Sequence, residues 1–263
     1  MHDDPLPAPP LPIDPHGLPV QDAVAIYLMA LQQPASAAQA AGTAAWLPLL
    51  AAVEQARWRA IGSKERRWQY LQSRVLQRLV LGVYADDDPR ALAFTHDRWG
   101  RQALAGHGHL HFALSHCASH VALAIGSDPV LGVAVEAVAP VRPGFLRIAH
   151  RCFHQADLAQ VLDYPEQRRY SHFLELWTLK AAYLNAVGPG MRKPIAECGF
   201  VRTAQGLILA QDRAPVPDLA LPDAFIAQRR MRGCQLALAY RRDRPVRFRY
   251  LNGDGALRWP AAG

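Results

Sequence analysis

Residues 170–187, with the sequence YSHFLELWTLKAAYLNAV, predict a long helix that ends before Gly188-Pro189-Gly190. An earlier long helix is predicted over residues 64–84, KERRWQYLQSRVLQRLVLGVY, because apolar side chains recur along one of its faces. Short strand-like runs precede, separate and follow the two helices. They cover residues 23–31, 109–114, 121–125, 130–138, 200–203, 206–210, 235–240 and 246–250. Helices mixed with short strands in both halves of the chain predict the α+β class.

Three regions are expected along the chain. Residues 1–20 contain seven prolines and are predicted to form an N-terminal arm or a strap across the surface. Residues 21–128 and residues 129–263 are predicted to form two halves, joined at the turn-like residues 126–129. The halves share a similar order of elements, although no repeat is visible residue by residue.

Composition limits the classes of function. The chain is 51% hydrophobic and 19% charged, which predicts a folded core. No apolar run approaches the roughly 20 residues that cross a bilayer, and the acidic N-terminus does not resemble a signal peptide, so a cytoplasmic protein without a membrane partner is expected. The four cysteines lack the C-x-x-C spacing of a zinc site. The net charge of +7 favours acidic or phosphorylated partners. Nucleic acid is not an expected partner, because the arginines are not interleaved with aromatic residues.

Three motifs follow one another along the chain: FALSHC at residues 112–117, LGVAVE at 131–136 and WTLKAAYLN at 177–185. In order and separation they resemble the 4′-phosphopantetheinyl transferases of the surfactin-synthetase-activating type. The motifs of that family read F-N-x-S-H-S, G-[IV]-D-[IV]-E and W-[ST]-x-K-E-[AS]-x-x-K. The intervening Arg151-Cys152-Phe153 resembles the family's R-x-F. The resemblance extends from about residue 66 to residue 200.

The resemblance implies two pseudo-symmetric halves, each a small, mainly antiparallel sheet packed with helices, and a cofactor cleft between them. It also implies a reaction in which phosphopantetheine moves from coenzyme A, the substrate, to a serine of an acyl or peptidyl carrier protein. A divalent cation, Mg²⁺ in this family, neutralises the pyrophosphate in such a reaction. By the same resemblance, the expected catalytic residues are Lys180 and Glu136. The residues expected to hold coenzyme A are Arg74, Arg101, Ser115, His116 and Lys180.

The chain departs from the family pattern at the expected metal site. Ala134 and Ala181 stand where the family has two metal-binding carboxylates, so Glu136 alone is left as a metal ligand. Positions 134 and 136 are two apart on a strand and therefore share a face. Asn185 stands where the family has a second lysine.

Three functions follow from this pattern. The first is a degenerate transferase that keeps coenzyme A or carrier-protein binding within polyketide, fatty-acid or nonribosomal-peptide biosynthesis. The second is an active but divergent Mg²⁺-dependent transferase, a holo-carrier-protein synthase. The third is a repurposed enzyme that acts on carrier-bound intermediates in the same cleft. The missing carboxylates favour the first function over the second.

Overall fold

The structure is a computed structural model that describes residues 23–31, 46–187, 195–203, 206–212, 224–241 and 245–251. The proline-rich arm predicted over residues 1–20 and the predicted helix stop at residues 188–190 lie outside the described residues. The first half contains β1 (Val24–Ala30), a 3-10 turn (Leu47–Leu49), α1 (Ala52–Ala60), α2 (Lys64–Ala85), β2 (Phe94–His96), β3 (Gln102–Leu104), β4 (His111–His116) and β5 (His120–Gly126). The second half contains β6 (Leu131–Ala137), α3 (Phe145–Cys152), α4 (Gln155–Asp163), α5 (Glu166–Ala186), a 3-10 turn (Ile195–Glu197), β7 (Cys198–Thr203), β8 (Gly206–Asp212), β9 (Ala224–Met231), β10 (Cys234–Arg241) and β11 (Val246–Tyr250).

The first sheet has the strand order β11-β1-β5-β4. Its β1–β5 and β5–β4 pairs are antiparallel, whereas β1 and β11 are parallel. Side chains alternate between the faces of a strand, so Tyr27 of β1 packs against Leu76 of α2 while Ile26 faces the opposite way. Helix α2 therefore covers one face of this sheet. Ser63 caps the N-terminus of this helix, since its side chain accepts a hydrogen bond from the Arg66 amide at 3.3 Å.

The second sheet has the order β6-β10-β9, with both pairs antiparallel, and α5 covers one of its faces. Gly132 permits this packing. A Cβ atom at Gly132 would lie 2.5 Å from the backbone nitrogen of Ala186 and also meet the carbonyl oxygen of Ala182. The absence of a side chain at this position thus lets β6 approach the backbone of α5.

The inner faces of the two sheets pack against each other through a shared apolar cluster. Ile26 and Leu28 of the first sheet belong to the same cluster as Val133, Val135 and the buried side chains of β10. The layers are therefore α2, the first sheet, the second sheet and α5. This arrangement confirms the α+β class and the two sheet-and-helix halves. No helix among the described residues combines the length and apolar character needed to cross a membrane.

The structure differs from the sequence-based expectation at several places. Strand β4 continues through Ser115 and His116, where a break was expected after residue 114. Strands β2, β3 and β9 were not predicted. Strand β11 lies in the sheet of the first half, although residues 129–263 were expected to form the second half. The last strand of the chain thus belongs to the first sheet, although the strands of the second sheet precede it in the sequence.

Candidate functional site

Ser115 and His116 end strand β4 at the junction of the two halves. The Ser115 hydroxyl accepts a hydrogen bond from the backbone amide of Val135 on β6 at 3.1 Å. Since β4 and β6 belong to different sheets, this bond ties the two halves together. It also fixes the end of the strand that carries the exposed His116.

Arg74 lies close enough to His116 to affect its charge. Loss of hydration lowers the pKa of His116, and the positive charge of Arg74 lowers it further. Burial likewise lowers the pKa of Arg74. Its guanidinium donates hydrogen bonds from Nη1 to Gln77 Oε1 at 2.5 Å and to Gln102 Oε1 at 2.7 Å, and lies 5.2 Å from the ring centroid of Tyr70. Arg74 supplies the permanent positive charge of this pair, which we call the cationic patch, and His116 adds a second charge only when it is protonated; such a pair favours an anionic ligand.

The side chain of Arg101 contacts residues other than Arg74 and His116. Its guanidinium lies 3.5 Å from Asp97 and donates to the carbonyl oxygen of Pro129 at 3.3 Å. The next residue, Gln102, contacts Arg74 instead. The predicted cofactor residues Arg74 and Arg101 are therefore not brought together by these contacts.

Glu136 is the one expected metal ligand that is present. The indole nitrogen of Trp177 donates a hydrogen bond to Glu136 Oε1 at 3.1 Å, which orients the carboxyl group. Burial raises the pKa of Glu136, and the Trp177 hydrogen bond and the charge of Arg142 oppose this shift. A carboxyl group with a raised pKa is a better proton acceptor once it is ionised.

Lys180 is located in the core of the second half. Its side chain has 0% exposure, and Nζ lies 2.5 Å from Asp157 Oδ2. The ammonium also donates to the carbonyl oxygens of Ile195, at 3.1 Å, and Cys198. Burial lowers the pKa of Lys180, while the Asp157 carboxylate opposes this shift. An ammonium that is inaccessible and already paired does not reach a ligand, so this placement does not support its predicted catalytic and phosphate-binding roles.

Comparison with known proteins finds a family model that matches part of the chain. The family model of the 4′-phosphopantetheinyl transferase superfamily matches residues 130–222, which include β6, the Glu136–Trp177 pair and α5. Residues 130–222 are therefore similar to this superfamily.

Curated relatives carry the same family name. A putative 4′-phosphopantetheinyl transferase of Synechocystis sp., slr0495, is 26% identical over 145 residues, which cover 54% of this chain and 58% of the relative. The transferase gsp of Aneurinibacillus migulanus is 34% identical over 117 residues, or 44% of this chain and 48% of the relative. The transferase HetI of Nostoc sp. is 26% identical over 186 residues, which cover 70% of this chain and 76% of the relative. The chain thus spans only about half of the length of the first two relatives.

Solved structures overlap with part of the chain. A holo-(acyl-carrier-protein) synthase from Bacillus anthracis, in complex with CoA (3′,5′-ADP), aligns with 41% of this chain and 91% of its own, at 12% identity and a TM-score of 0.34. The corresponding synthase from Thermotoga maritima covers 41% of this chain and 60% of its own, at 18% identity and a TM-score of 0.33.

The residues present do not fit the three-carboxylate metal site that the superfamily resemblance implies. Ala134 is 3% exposed and belongs to the apolar cluster beneath α5, against which Ala181 also packs. In the described part of the chain, no three His, Cys, Asp or Glu side chains come together to hold a metal ion. Asn185, at the place of the second lysine, donates to the carbonyl oxygen of Val133 at 3.1 Å and so joins α5 to β6.

Two sets of side-chain contacts were not predicted from the sequence. Gln77 and Gln102 orient Arg74, and Asp157 pairs with Lys180. Gln77 lies almost one helical turn after Arg74, so helical spacing alone could have indicated that contact. Asp157 and Gln102 lie on other elements, and no local pattern in the sequence pairs them with their partners.

Proposed function

We propose that this chain is a 4′-phosphopantetheinyl transferase-like protein that binds coenzyme A but transfers phosphopantetheine weakly or not at all. The observation that carries the proposal is the apolar packing of Ala134 and Ala181 at two of the three positions expected to hold metal. Arg74 and His116, which the resemblance assigns to coenzyme A binding, are retained in the sequence. Binding and catalysis use different residues here, so one can persist without the other.

The cationic patch would hold the phosphates of coenzyme A. A guanidinium presents its donors as a planar fork that matches phosphate oxygens. Gln77 and Gln102 hold the guanidinium of Arg74 in place, which reduces the conformational entropy lost when a ligand binds. By resemblance, Arg74 would contact the 3′-phosphate, and Ser115 and His116 would lie beside the other phosphates.

The second partner would be an acyl or peptidyl carrier protein of polyketide, fatty-acid or nonribosomal-peptide biosynthesis, met in the cytoplasm. In a transfer, the serine hydroxyl of the carrier attacks the β-phosphorus of coenzyme A and 3′,5′-ADP leaves. Glu136 would accept the serine proton. In a protein with little transfer activity, the same contacts would serve recognition of the carrier or regulation.

An active but divergent transferase is the second candidate. It is favoured by the retention of Glu136, which Trp177 holds in one orientation, and by the names of the relatives. In this case the transfer would proceed with a single protein carboxylate at the site.

A transfer assay separates the two candidates. The full chain is incubated with coenzyme A, Mg²⁺ and several apo carrier proteins, and the mass of each carrier is measured. We expect little or no phosphopantetheine increment for the parent chain. The variant Ala134→Asp/Ala181→Glu restores both missing carboxylates and is expected to gain Mg²⁺-dependent transfer, whereas each single change is not. Robust transfer by the parent would establish the divergent transferase instead.

Titration calorimetry tests the binding part of the proposal. Coenzyme A should bind with an affinity that changes by less than about tenfold, or 1.4 kcal/mol, when a chelator removes Mg²⁺. Arg74→Gln should weaken coenzyme A more than 3′-dephospho-coenzyme A, because only the former carries the 3′-phosphate. Arg247→Gln makes the same charge change at an exposed position on β11 and serves as the matched control. Absence of coenzyme A binding in the folded parent would refute the proposed function.

A further inference from the structure

The second half carries an open pocket that none of the predicted site residues lines. It has a volume of about 520 Å³ and lies where the first turns of α5 pass β9. Pockets that bind small organic ligands fall in the range of roughly 300–1,000 Å³. The side chains around it are mostly polar: Tyr164, Gln167, Arg168, Ser171, His172, Glu175, Gln228 and Arg230.

The pocket lies on the same face of the second sheet as Glu136, two strands away. Arg230 on β9 is opposite Gln235 on β10, and Gln235 is opposite Glu136 on β6. Directly opposed residues in antiparallel strands share a face, and adjacent strands are about 4.8 Å apart. The backbone at Arg230 is therefore about 10 Å from that at Glu136. Neither Arg74 nor His116 of the cationic patch lines the pocket.

Hydrogen bonds within the pocket use the acceptor oxygens of Ser171 and Gln228 and leave donor groups of these two side chains available. Arg230 Nη1 donates to the Ser171 hydroxyl oxygen at 3.0 Å, so the hydroxyl proton of Ser171 can be donated elsewhere. Gln235 donates to Gln228 Oε1 at 3.4 Å, which leaves the amide NH₂ of Gln228 as a donor. Glu175 Oε2 lies 3.3 Å from His172 Nδ1.

The charges of the pocket favour an anion. Arg168 and Arg230 contribute two guanidinium groups, and the one lining carboxylate, that of Glu175, faces His172. His172 is 2% exposed, and its Nε2 is buried without a hydrogen-bond partner among the residues that the structure describes. Two planar forks with nearby hydroxyl and amide donors suit the tetrahedral oxygens of a phosphate group.

The pocket is held in shape before any ligand binds. The rings of Tyr164 and His172 stack with centroids 4.2 Å apart. Arg169, on α5 beside the pocket, donates to the carbonyl oxygen of Tyr164 at 3.0 Å, which fixes the turn that precedes the helix. The Arg230–Ser171 hydrogen bond ties β9 to α5. A rigid receptor loses less entropy on binding.

We infer that this pocket is a second anion site, which binds the phosphate group of a small phosphorylated organic compound. The pocket is much larger than a phosphate ion alone, so the organic part of the compound would fill the remaining volume. The pocket shares no lining residue with the proposed coenzyme A site, so variants can probe the two sites separately.

The test uses the full chain and two probes, inorganic phosphate and citrate. Affinities are measured by calorimetry, and folding is checked by circular dichroism. The variant Arg168→Gln/Arg230→Gln should weaken phosphate binding at least tenfold. Arg247→Gln, which neutralises an exposed arginine on β11, is the matched control and should leave phosphate binding unchanged. Arg74→Gln should also leave binding at the second site unchanged.

Three results would overturn the inference. They are unchanged phosphate affinity in the folded double variant, loss of all phosphate binding in Arg74→Gln, and tighter binding of citrate than of phosphate at the pocket. Should the double variant fail to fold, Arg168→Gln alone gives the answer, since Arg168 is exposed in the first turn of α5. In that variant a phosphate affinity equal to that of the parent would refute the site.

Discussion

Replacement of Lys180 tests whether its ammonium is a structural group of the core. Lys180→Met removes the charge and keeps a long apolar side chain. Asp157 would then remain at 0% exposure without its cation, although its Oδ1 would still accept from the Phe200 amide at 2.8 Å. Breaking a buried ion pair from one side costs about 3–5 kcal/mol. Since domains are stable by only about 5–15 kcal/mol, a large part of the stability should be lost.

The expected loss is measured by urea unfolding, with the change in midpoint read at constant slope. Lys64→Met is the matched control, because Lys64 is exposed at the start of α2. It should change the free energy of unfolding by less than about 0.5 kcal/mol. The double variant Lys180→Met/Asp157→Leu replaces both charges with apolar groups and should be far more stable than the sum of the single effects predicts, because such replacements are often close to neutral.

Two outcomes would refute this reasoning. One is a loss below about 1 kcal/mol in Lys180→Met, which is too small for a buried carboxylate left without its cation. The other is additivity of the single changes within about 0.5 kcal/mol in the double variant, which would show that the two charges do not interact in the folded protein.

Three further predictions concern the junction of β6, β4 and α5. Gly132→Ala should lower the free energy of unfolding, measured with urea, by about 1–3 kcal/mol, because its Cβ would overlap backbone atoms. Gly62→Ala is the control and should not lower the free energy of unfolding in this way, since the space around Gly62 is open. Coenzyme A should bind more tightly as the pH falls below about 7, because His116, with its pKa lowered in the free protein, gains a proton beside an anion. Calorimetry at two pH values should show that the affinity for coenzyme A changes less with pH in His116→Gln than in the parent. An equal change in both proteins would contradict the role of the His116 side chain. Because the pKa of Glu136 is raised in the folded protein, the folded state binds the carboxyl proton of Glu136 more tightly than the unfolded chain does. The stability that this protonation contributes is therefore present below the ordinary pKa of 4.5 and is lost as the pH rises through the pKa of the folded state. Thermal melts should therefore show that Glu136→Gln gains stability relative to the parent between pH 4 and pH 7, and a gain that does not grow with pH would contradict this.

The long helices and most strands could be predicted because their signals are local. Periodic apolar residues predicted helix 64–84, and the structure has Lys64–Ala85. The run at 246–250 predicted a strand, and the structure has Val246–Tyr250. Strand β9 was missed because its sequence, AFIAQRRM, ends in polar residues that do not alternate. The partner of a strand depends on contacts distant in sequence, so the pairing of β1 with β11 could not be read from either segment.

Part of the candidate site could also be predicted from the motifs. The location of Ser115 and Glu136 near the junction of the halves agrees with their order in the sequence, since β4 and β6 follow one another closely. The environment of Lys180 could not be predicted. Burial and pairing with Asp157 depend on how α4 packs against α5, which no motif encodes. A lysine at a motif position can thus look identical in sequence whether it meets a ligand or a carboxylate in the core.

The parallel pairing of β1 and β11 has a consequence for synthesis of the protein on the ribosome. Val24 pairs with Val246 in β11. Because translation proceeds at about 5–20 residues per second, β11 is synthesised roughly 10–45 s after β1. Its antiparallel partner β5 emerges much earlier. During the interval one edge of β1, with the buried strand sequence VAIYLMA, offers unpaired backbone groups to any other extended chain. The nascent protein should therefore depend on chaperones most strongly in the last part of its translation.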